Sequence, residues 1–301
     1  LWPRGIINVP PGPMRDDSLV ETKRGPVPLA MVKVGDMVLT HRGRYMPVTD
    51  VHHQGILPIL RITTNSGRVT NAAPTHPYLT PHGWIEASNL RVGDTLAVVN
   101  PTEDRENSGI EPAIARLMGY MVGDGSLTQQ LPLFTNGDAD VIDDFERCCA
   151  VAGFETTKRW RGTHWSIRIR GGAAVREFFA GFGVMGKSSY HKRIPPQIMA
   201  ADAETMRNFI GAYWSCDGQI EVRATRERGS IYRAACATVN KQLADDLVYA
   251  LGMIGIEGRV RPKSIKRETK SQPGGTFRSF NVEVQKECMT ALFADMPGLC
   301  E

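Results

Sequence analysis

The chain has 301 residues, with 36 lysines and arginines against 32 aspartates and glutamates. This length allows two or three domains with cores of their own, and a net charge of +4 is only a mild bias towards a polyanionic partner. No apolar run approaches the roughly 20 residues of a membrane span, and no secretory signal is recognisable. We therefore expect an intracellular protein, in the cytoplasm or the nucleoid. A phage genome is one source that we consider for its gene. The six cysteines lack CxxC and zinc-finger spacing, which favours reduced thiols in a core.

The first third of the chain is rich in short β-type segments. Residues 1–17 form a leader rich in proline and glycine, and residues 18–100 alternate β-branched segments with turns, which predicts an all-β domain. The predicted strands lie in VPLAMVKVGDMVLTHRG, YMPVTDVHHQG, ILRITTNSG, PYLTPHGWIEA and LRVGDTLAVV. MVKVGDMVL around Asp36 returns as NLRVGDTLA around Asp94, which indicates an internal duplication. Residues 101–110 are a polar linker.

The pattern changes after this linker. Helical spacing in AIARLMGYMV, DADVIDDFERCCAVAGF and AAVREFFAGFGV surrounds a predicted strand hairpin, TKRWRGTHWSIRIRG. The same order recurs after Pro195 and Pro196. The sequence therefore predicts two similar α+β units, residues 111–200 and 201–301.

Two of the predicted helices share a stripe of small residues. Gly119 and Gly123 stand four apart in RLMGYMVGDGSL, and Ala212 and Cys216 stand four apart in FIGAYWSCDGQI. Positions i and i+4 lie on one helix face, and small side chains there let two backbones approach closely. We expect these two helices to pack side by side.

Each of these helices ends on an aspartate, Asp124 or Asp217, followed by a glycine, Gly125 or Gly218, that suits a left-handed exit. A carboxylate at a helix carboxyl end faces the negative end of the dipole, and two close carboxylates raise the pKa of one of them unless a cation lies between. Oxygen ligands with room for water suit Mg²⁺, with Mn²⁺ or Ca²⁺ as other divalent candidates. Such a site can activate water for phosphodiester hydrolysis. The alternative is that Asp-Gly only ends a helix, but its occurrence in both units favours the metal site.

LMGYMVGDG and IGAYWSCDG resemble the paired signature helices of the LAGLIDADG homing endonucleases. The resemblance covers about residues 111–301 and implies an α+β fold of tandem αββαββα units, pseudo-twofold, with two DNA-binding sheets. It implies a monomeric endonuclease that cuts both strands of a long, pseudo-asymmetric duplex site and leaves 3′ overhangs. Asp124 and Asp217 would then be the catalytic, metal-binding acids. Ala212 stands where many members have glycine, but it keeps a small side chain.

The segment MGKSSYHKRIP resembles the family segment that supplies a basic residue near the scissile phosphate. We expect Lys187 in this catalytic role, polarising the nucleophilic water or stabilising charge in the transition state, with Lys192 as the next choice. The corresponding place in the second unit, MPGLCE, shows no lysine.

Basic residues form two clusters that we assign to DNA. In WSIRIRG, period-two alternation places Arg168 and Arg170 on one face, and a two-stranded ribbon of this kind fits the major groove. The alternative is a solvated strand face. The DNA-binding candidates are Lys158, Arg159, Arg161, Arg168 and Arg170 in the first unit, and Arg223, Arg226, Arg228, Arg233, Arg259, Arg261, Lys263, Lys266 and Arg278 in the second.

DSLVETKRGPVPLAMVKVGDMVLT and GRVTNAAPTHPYLTPHGWIEASNLRVGDTLAVV resemble the first blocks of a Hint domain, the splicing domain of inteins. By this resemblance His76 corresponds to the histidine that assists the first acyl shift. Splicing needs a Cys or Ser nucleophile and a terminal His-Asn pair, but the chain reads GPMR before DDSLVET and ends in GLCE. Ala73 also replaces the usual threonine. We therefore expect a domain that does not splice, with His76 in a structural role.

Two other functions remain open from the sequence. The protein could be a splicing element whose activity is self-cleavage, which intact chemistry at both ends would favour. It could also be a non-enzymatic DNA- or RNA-binding relative of the LAGLIDADG type, which loss of the two acids would favour. Both acids are present.

Overall fold

The structure is a computed structural model that describes residues 12–65, 67–99, 108–225, 229–269 and 272–284, with side chains outside 221–232 and 265–277. It is a mixed α/β structure with several small sheets, divided into two compact units, Leu1–Thr102 and Glu103–Glu301. Within the described residues, no helix has the length and apolar character required to cross a bilayer.

Short antiparallel hairpins build the first unit. Its described strands are β1 (Leu19–Thr22), β2 (Gly25–Pro28), β3 (Met37–Leu39), β4 (Tyr45–Pro47), β5 (Leu60–Thr63), β6 (Val69–Ala72), β7 (Pro77–Thr80) and β8 (Gly83–Glu86). They form one sheet ordered β2-β1-β3-β4 and two separate hairpins, β5-β6 and β7-β8.

The predicted strand in LRVGDTLAVV is wrong, since residues 90–99 form no strand. Asp94 closes a turn there by accepting a hydrogen bond from the backbone amide of Arg91 at 2.8 Å, and Gly93 adopts a φ of 104°. The equivalent turn at Asp36 leads directly into β3 (Met37–Leu39), which pairs with β1 and β4. After Asp94, the amide of Ala97 donates a hydrogen bond to the carbonyl oxygen of Leu79 at 2.8 Å, but no strand forms.

The two VGD copies have the same local structure. Asp36 accepts a hydrogen bond from the amide three residues before it at 2.9 Å, as Asp94 does at 2.8 Å. Each copy follows a single 3₁₀ turn, Leu29–Met31 or Ala87–Asn89. The sequence repeat therefore corresponds to a repeated turn in the first unit.

The second unit alternates helices with strand pairs. Its described elements are α1 (Pro112–Val122), β9 (Gly125–Ser126), β10 (Leu133–Asn136), α2 (Ala139–Val151), β11 (Thr156–Trp160), β12 (Trp165–Ile169), α3 (Ala173–Gly181), α4 (Pro196–Met199), α5 (Ala203–Asp217), β13 (Gly218–Thr225), β14 (Gly229–Thr238), α6 (Lys241–Met253), β15 (Gly258–Thr269) and β16 (Gln272–Val284). The sheets are ordered β11-β12-β10-β9 and β13-β14-β16-β15. A helix, two strands, a helix and two strands follow one another from α1 to β12 and again from α5 to β16.

One hydrophobic cluster joins the helices of this unit to one face of each sheet. Alternate residues of the strands, among them Ile167 and Ile169 in β12 and Val282 and Val284 in β16, are buried in it. Because successive strand residues point to opposite faces, the residues between them lie on the other face of each sheet. These outer faces carry several of the candidate DNA contacts, among them Arg168 and Arg259.

Candidate active site

Helices α1 and α5 pack side by side with their backbones in close contact. A methyl group on Gly119 would lie 2.3 Å from the carbonyl oxygen of Phe209 and 2.9 Å from Cβ of Ala212, and one on Gly123 would lie 2.7 Å from Cβ of Cys216. The contacts advance in the same direction along both helices, so the helices run parallel. The structure thus brings together the four predicted interface residues and aligns the two carboxyl ends.

The two acids lie at these ends and are half-buried. Asp217 is the last residue of α5, and Asp124 lies just beyond α1. Asn136 on β10, which the sequence did not single out, donates a hydrogen bond from Nδ2 to Oδ2 of Asp124 at 2.8 Å. Burial raises the pKa of Asp124, and burial together with the Asp124 carboxylate raises the pKa of Asp217 to about 6. The site therefore holds two like charges at a cost that a bound cation would relieve.

The expectation of a left-handed exit at Gly125 and Gly218 is wrong. Neither glycine has a positive φ, and Gly218 is extended, with φ −77° and ψ 149°. A methyl group on Gly218 would instead lie 2.1 Å from Cδ1 of Trp214, and one on Gly125 would lie 2.4 Å from the carbonyl oxygen of Met121. Glycine follows each acid because the chain turns back past the last helical turn with no space for a side chain.

Lys192 caps the end of α1. Its ammonium group donates hydrogen bonds to the carbonyl oxygens of Val122 and Gly123, both at 2.9 Å, and of Gly125 at 2.6 Å. The last carbonyls of a helix lack partners within the helix, so this buried cation satisfies the backbone on both sides of the first acid. Burial lowers the pKa of Lys192 to about 8, against the opposing effect of the two carboxylates.

Lys187 does not share this position. Its side chain is exposed, and among the hydrogen bonds and ion pairs of the described residues none joins it to either acid. Lys192 instead lies among the groups that surround both carboxylates, and the catalytic role expected for either lysine stays a prediction.

Two further contacts fix Lys192. Asn240, at the start of α6, donates a hydrogen bond from Nδ2 to the carbonyl oxygen of Lys192 at 2.7 Å. Arg193 forms a bidentate pair with the buried Asp246 of α6, at 2.5 and 2.7 Å. In α2, Asp144 plays a similar part, accepting hydrogen bonds from α1. Asp144 and Asp246 occupy equivalent positions in α2 and α6, each six residues after the N-cap of its helix, Asp138 or Asn240. This equal spacing is a signal in the sequence that could have identified the two aspartates as counterparts.

We expect the Lys192→Met variant to be less stable than the wild type by about 2 kcal/mol, because three carbonyl oxygens, those of Val122, Gly123 and Gly125, lose a charged donor. Urea denaturation in the presence of EDTA measures the change. Lys187→Met removes the same charge from an exposed side chain, and we expect it to change stability by less than about 0.5 kcal/mol. Equal effects of the two substitutions would contradict the capping role.

Two carboxylates are a sparse donor set for a metal. Within the described part of the chain, no group of three or more His, Cys, Asp or Glu side chains is arranged to hold an ion. Mg²⁺ usually retains several waters and binds through one or two carboxylates plus phosphate oxygens, so Asp124 and Asp217 fit such an ion. The hydroxyl of Tyr213, next to Asp217, is buried and makes no hydrogen bond of normal geometry. The site thus has polar groups that its own residues leave incompletely satisfied.

The outer face of the first sheet carries arginines. Arg168 pairs with Thr157 and Arg159 with Ser166, and both arginines are exposed on the face opposite Ile167. Arg161, in the hairpin turn, and Arg170, just after β12, are exposed as well.

Lys158, predicted as a DNA contact, does not lie on the arginine face of the sheet. It lies opposite Ile167 in register and therefore on the helix side of the sheet. Its Nζ donates to Oε2 of Glu146 on α2 at 2.7 Å. Local pairing with a helix acid, rather than solvent exposure on the arginine face, fixes this side chain.

The outer face of the second sheet carries Arg233, Arg259, Arg261 and Lys263. Arg278 is exposed but alternates onto the face of Val282, so it does not share the surface predicted for it. Among the remaining candidates, Arg223 and Lys266 lie on strands β13 and β15 at positions where the structure describes the backbone alone, and Arg226 and Arg228 lie outside the described residues.

His76 in the first unit contacts the leader. Its Nδ1 lies 2.7 Å from the carbonyl oxygen of Gly12, and burial lowers the pKa of His76. A methyl group on Gly12 would lie 2.5 Å from the same ring nitrogen. The residue after Gly12 is Pro13, which offers no side-chain nucleophile.

Comparison with known proteins gives matches that extend beyond the second unit. The replication factor C small subunit of Methanocaldococcus jannaschii is 33% identical over 223 residues, which are 70% of this chain and 11% of that protein. The chain spans 11% to 28% of the curated relatives it matches. Among solved structures, a mesophilic variant of the homing endonuclease I-DmoI aligns with 62% of this chain and 94% of its own, at 11% identity and a TM-score of 0.41. The gp41-1 intein aligns with 28% of this chain and 66% of its own, at 25% identity and a TM-score of 0.27.

The family comparison is more local. Residues 204–284 match the model of the LAGLIDADG-like domain. The match begins at the second residue of α5, ends with β16 and includes Asp217. From α5 to β16, the chain is therefore similar to a LAGLIDADG-like domain.

Proposed function

We propose that this protein is a metal-dependent, site-specific endonuclease of double-stranded DNA, of the homing endonuclease type. The observation that carries the proposal is the convergence of Asp124 and Asp217 at the ends of two parallel helices, with the pKa of Asp217 raised to about 6 by burial and by its neighbour. A protein rarely retains such a pair without a use for it, and perturbed carboxylates cluster at functional sites.

The residues of the site divide the work of hydrolysis. Asp124 and Asp217 would hold a divalent ion, for which we propose Mg²⁺ and which supplies Lewis-acid activation of water and stabilisation of the leaving oxygen. Lys192 fixes the backbone around Asp124, and Asn136 orients its carboxylate. Lys192 also places a positive charge near both carboxylates, while its three N–H donors bind backbone carbonyl oxygens.

We propose that the duplex lies along the outer faces of the two sheets. Arg159 and Arg168 on the first sheet, and Arg259 and Arg261 on the second, are charged groups on these faces. Arginine can contact phosphates and read guanine edges in the major groove. The two sheets differ in sequence, which supports a long, pseudo-asymmetric target for a monomer.

The finer features follow from the same proposal. The recurring element order from α1 to β12 and from α5 to β16 supports tandem units. Cleavage of both strands with short 3′ overhangs and an intracellular location, in the cytoplasm or the nucleoid, are part of the proposed function. The repeated VGD turns support a Hint-like first unit, and Pro13 after the Gly12 carbonyl argues against splicing by it.

The test is cleavage of a library of randomised duplexes with Mg²⁺, with EDTA and with the Asp124→Asn variant as controls. We expect a small set of related sequences to be cut, and only when the ion and the acid are both present. Sequencing of the ends reports the overhang. If no divalent ion supports cleavage of any duplex, or if Asp124→Asn cuts as well as the wild type, the proposal fails.

A further inference from the structure

Glu283 is a buried carboxylate in the middle of a cluster of arginines. It is 3% exposed and lies on β16, between β14 and β15 in the sheet. Its Oε2 lies 3.0 Å from Nε of Arg259 and 3.1 Å from Nε of Arg261, both on β15. Arg233 on β14 forms an ion pair with the same carboxylate.

Strand register explains the cluster. Glu283 stands opposite Arg259 on one side and opposite Ala235 on the other. Arg261 and Arg233 are each two residues from those partners, so they lie on the same face of the sheet. Val282 and Val284 point into the core, which places Glu283 and its arginines on the outer face.

The arginines cover the carboxylate but remain open to solvent themselves. Their side chains are 39%, 33% and 56% exposed for Arg233, Arg259 and Arg261, against 3% for Glu283. Burial lowers the pKa of Arg259, and the neighbouring guanidinium groups of Arg261 and Arg233 lower it further. Among the described side chains, three guanidinium groups therefore surround the single carboxylate of Glu283.

The mode of contact leaves donors available. Arg259 and Arg261 meet Glu283 through Nε, whereas a guanidinium has five N–H donors in a fixed fork. Their terminal amino groups can bind an oxyanion without releasing the carboxylate. A phosphate suits this geometry because arginine binds phosphate through paired N–H donors.

We propose that Glu283 holds Arg233, Arg259 and Arg261 as one preorganised site for a backbone phosphate of duplex DNA. Glu283 is a positioning residue, since it acts through the three arginines. The inference rests on the proposed function for the identity of the ligand, and it adds an acidic residue to a surface otherwise defined by its basic ones.

The sign of the affinity change separates positioning from simple electrostatics. Glu283→Gln adds one positive charge to the surface, so charge alone predicts tighter binding of DNA. If Glu283 orients the arginines, the variant binds more weakly despite this charge, and we expect Kd to rise about 5- to 10-fold as the fixed geometry is lost. The probe is a fluorescent duplex of about 30 base pairs and arbitrary sequence, measured by anisotropy in EDTA at several salt concentrations. Glu257→Gln makes the same change of charge at an exposed carboxylate and should not weaken binding.

A coupling measurement completes the test. In a background in which all three arginines are glutamine, Glu283→Gln should no longer weaken binding, because only the effect of its charge remains. Thermal melting verifies the fold, and Glu283→Asp, which keeps the charge but shortens the side chain, should also bind more weakly. Equal or tighter binding by Glu283→Gln, or the same loss in the arginine-free background, would overturn the inference while wild-type binding and cleavage persist. Failure of the wild type to bind any duplex would instead remove the proposed function, and this inference with it.

Discussion

Gly119→Ala is expected to destabilise the second unit by about 3 kcal/mol or more, at or beyond the upper end of the usual cost of overpacking. The added methyl group would lie 2.3 Å from the carbonyl oxygen of Phe209 and 3.0 Å from the amide nitrogen of Tyr213. Both atoms belong to the backbone of α5, so no rotamer change can relieve the overlap. The two helices must separate or slide, which would also displace Asp124 from Asp217.

Denaturation with urea, followed by circular dichroism, measures this loss. Gly181→Ala is the matched control, because Gly181 ends α3 and a methyl group there meets nothing within 4 Å. We expect the control to be neutral, or more stable by up to about 1 kcal/mol, since alanine favours helix over glycine. Comparable destabilisation by both substitutions would contradict the close contact between the backbones of α1 and α5.

Asp217→Asn is expected to reduce the rate of DNA cleavage by about 10³-fold or more. The amide keeps the shape of the side chain but removes a charged ligand, and loss of several kcal/mol of transition-state stabilisation corresponds to this factor. DNA affinity in EDTA should change little, because Asp217 belongs to the helix ends and not to the arginine faces. Single-turnover cleavage of the selected duplex measures the rate, and a variant that retains a tenth of wild-type activity would contradict the assigned role.

The same substitution should raise stability when no metal is bound. Burial and Asp124 raise the pKa of Asp217 to about 6 from the ordinary 3.8 of an aspartate, so the folded protein favours the protonated form more than the unfolded chain does. The cost of ionisation is absent well below pH 4, grows between the two values and is fully present above about pH 6. We therefore expect Asp217→Asn to be more stable than the wild type by about 1 to 3 kcal/mol at pH 8 in EDTA, and by nearly nothing near pH 4. A variant less stable than the wild type at pH 8 would contradict the described crowding of charge.

Local patterns in the sequence predicted the central part of the site. The four-residue spacing of small residues identified the face on which α1 and α5 meet, because helix periodicity fixes which side chains share a face. The recurrence of Asp-Gly then located the two acids. The assignment of catalytic roles to these residues stays a prediction until it is tested by activity.

Other features depended on contacts that no local pattern reveals. Lys192 and Lys187 lie in the same basic segment, and only the fold shows which ammonium group reaches the carbonyls of α1. Lys158 sits one position away from Arg159, so alternation along β11 places it on the opposite face, and only the fold shows that Glu146 of α2 meets it there. LRVGDTLAVV has the composition of a strand, yet residues 90–99 form none, because strand formation depends on the neighbouring strands as well as on β propensity.

The neighbouring anchors Lys192 and Arg193 connect the two halves of the second unit. The side chain of Lys192 binds carbonyl oxygens at the end of α1, and the side chain of Arg193 forms an ion pair with Asp246 on α6. If the protein were cut on the amino-terminal side of this dipeptide, the first half would lose the lysine that caps α1. The second half would retain Lys192 without the carbonyl oxygens that accept its hydrogen bonds. The halves are consequently interdependent, and independent expression of either one should yield an incompletely folded fragment.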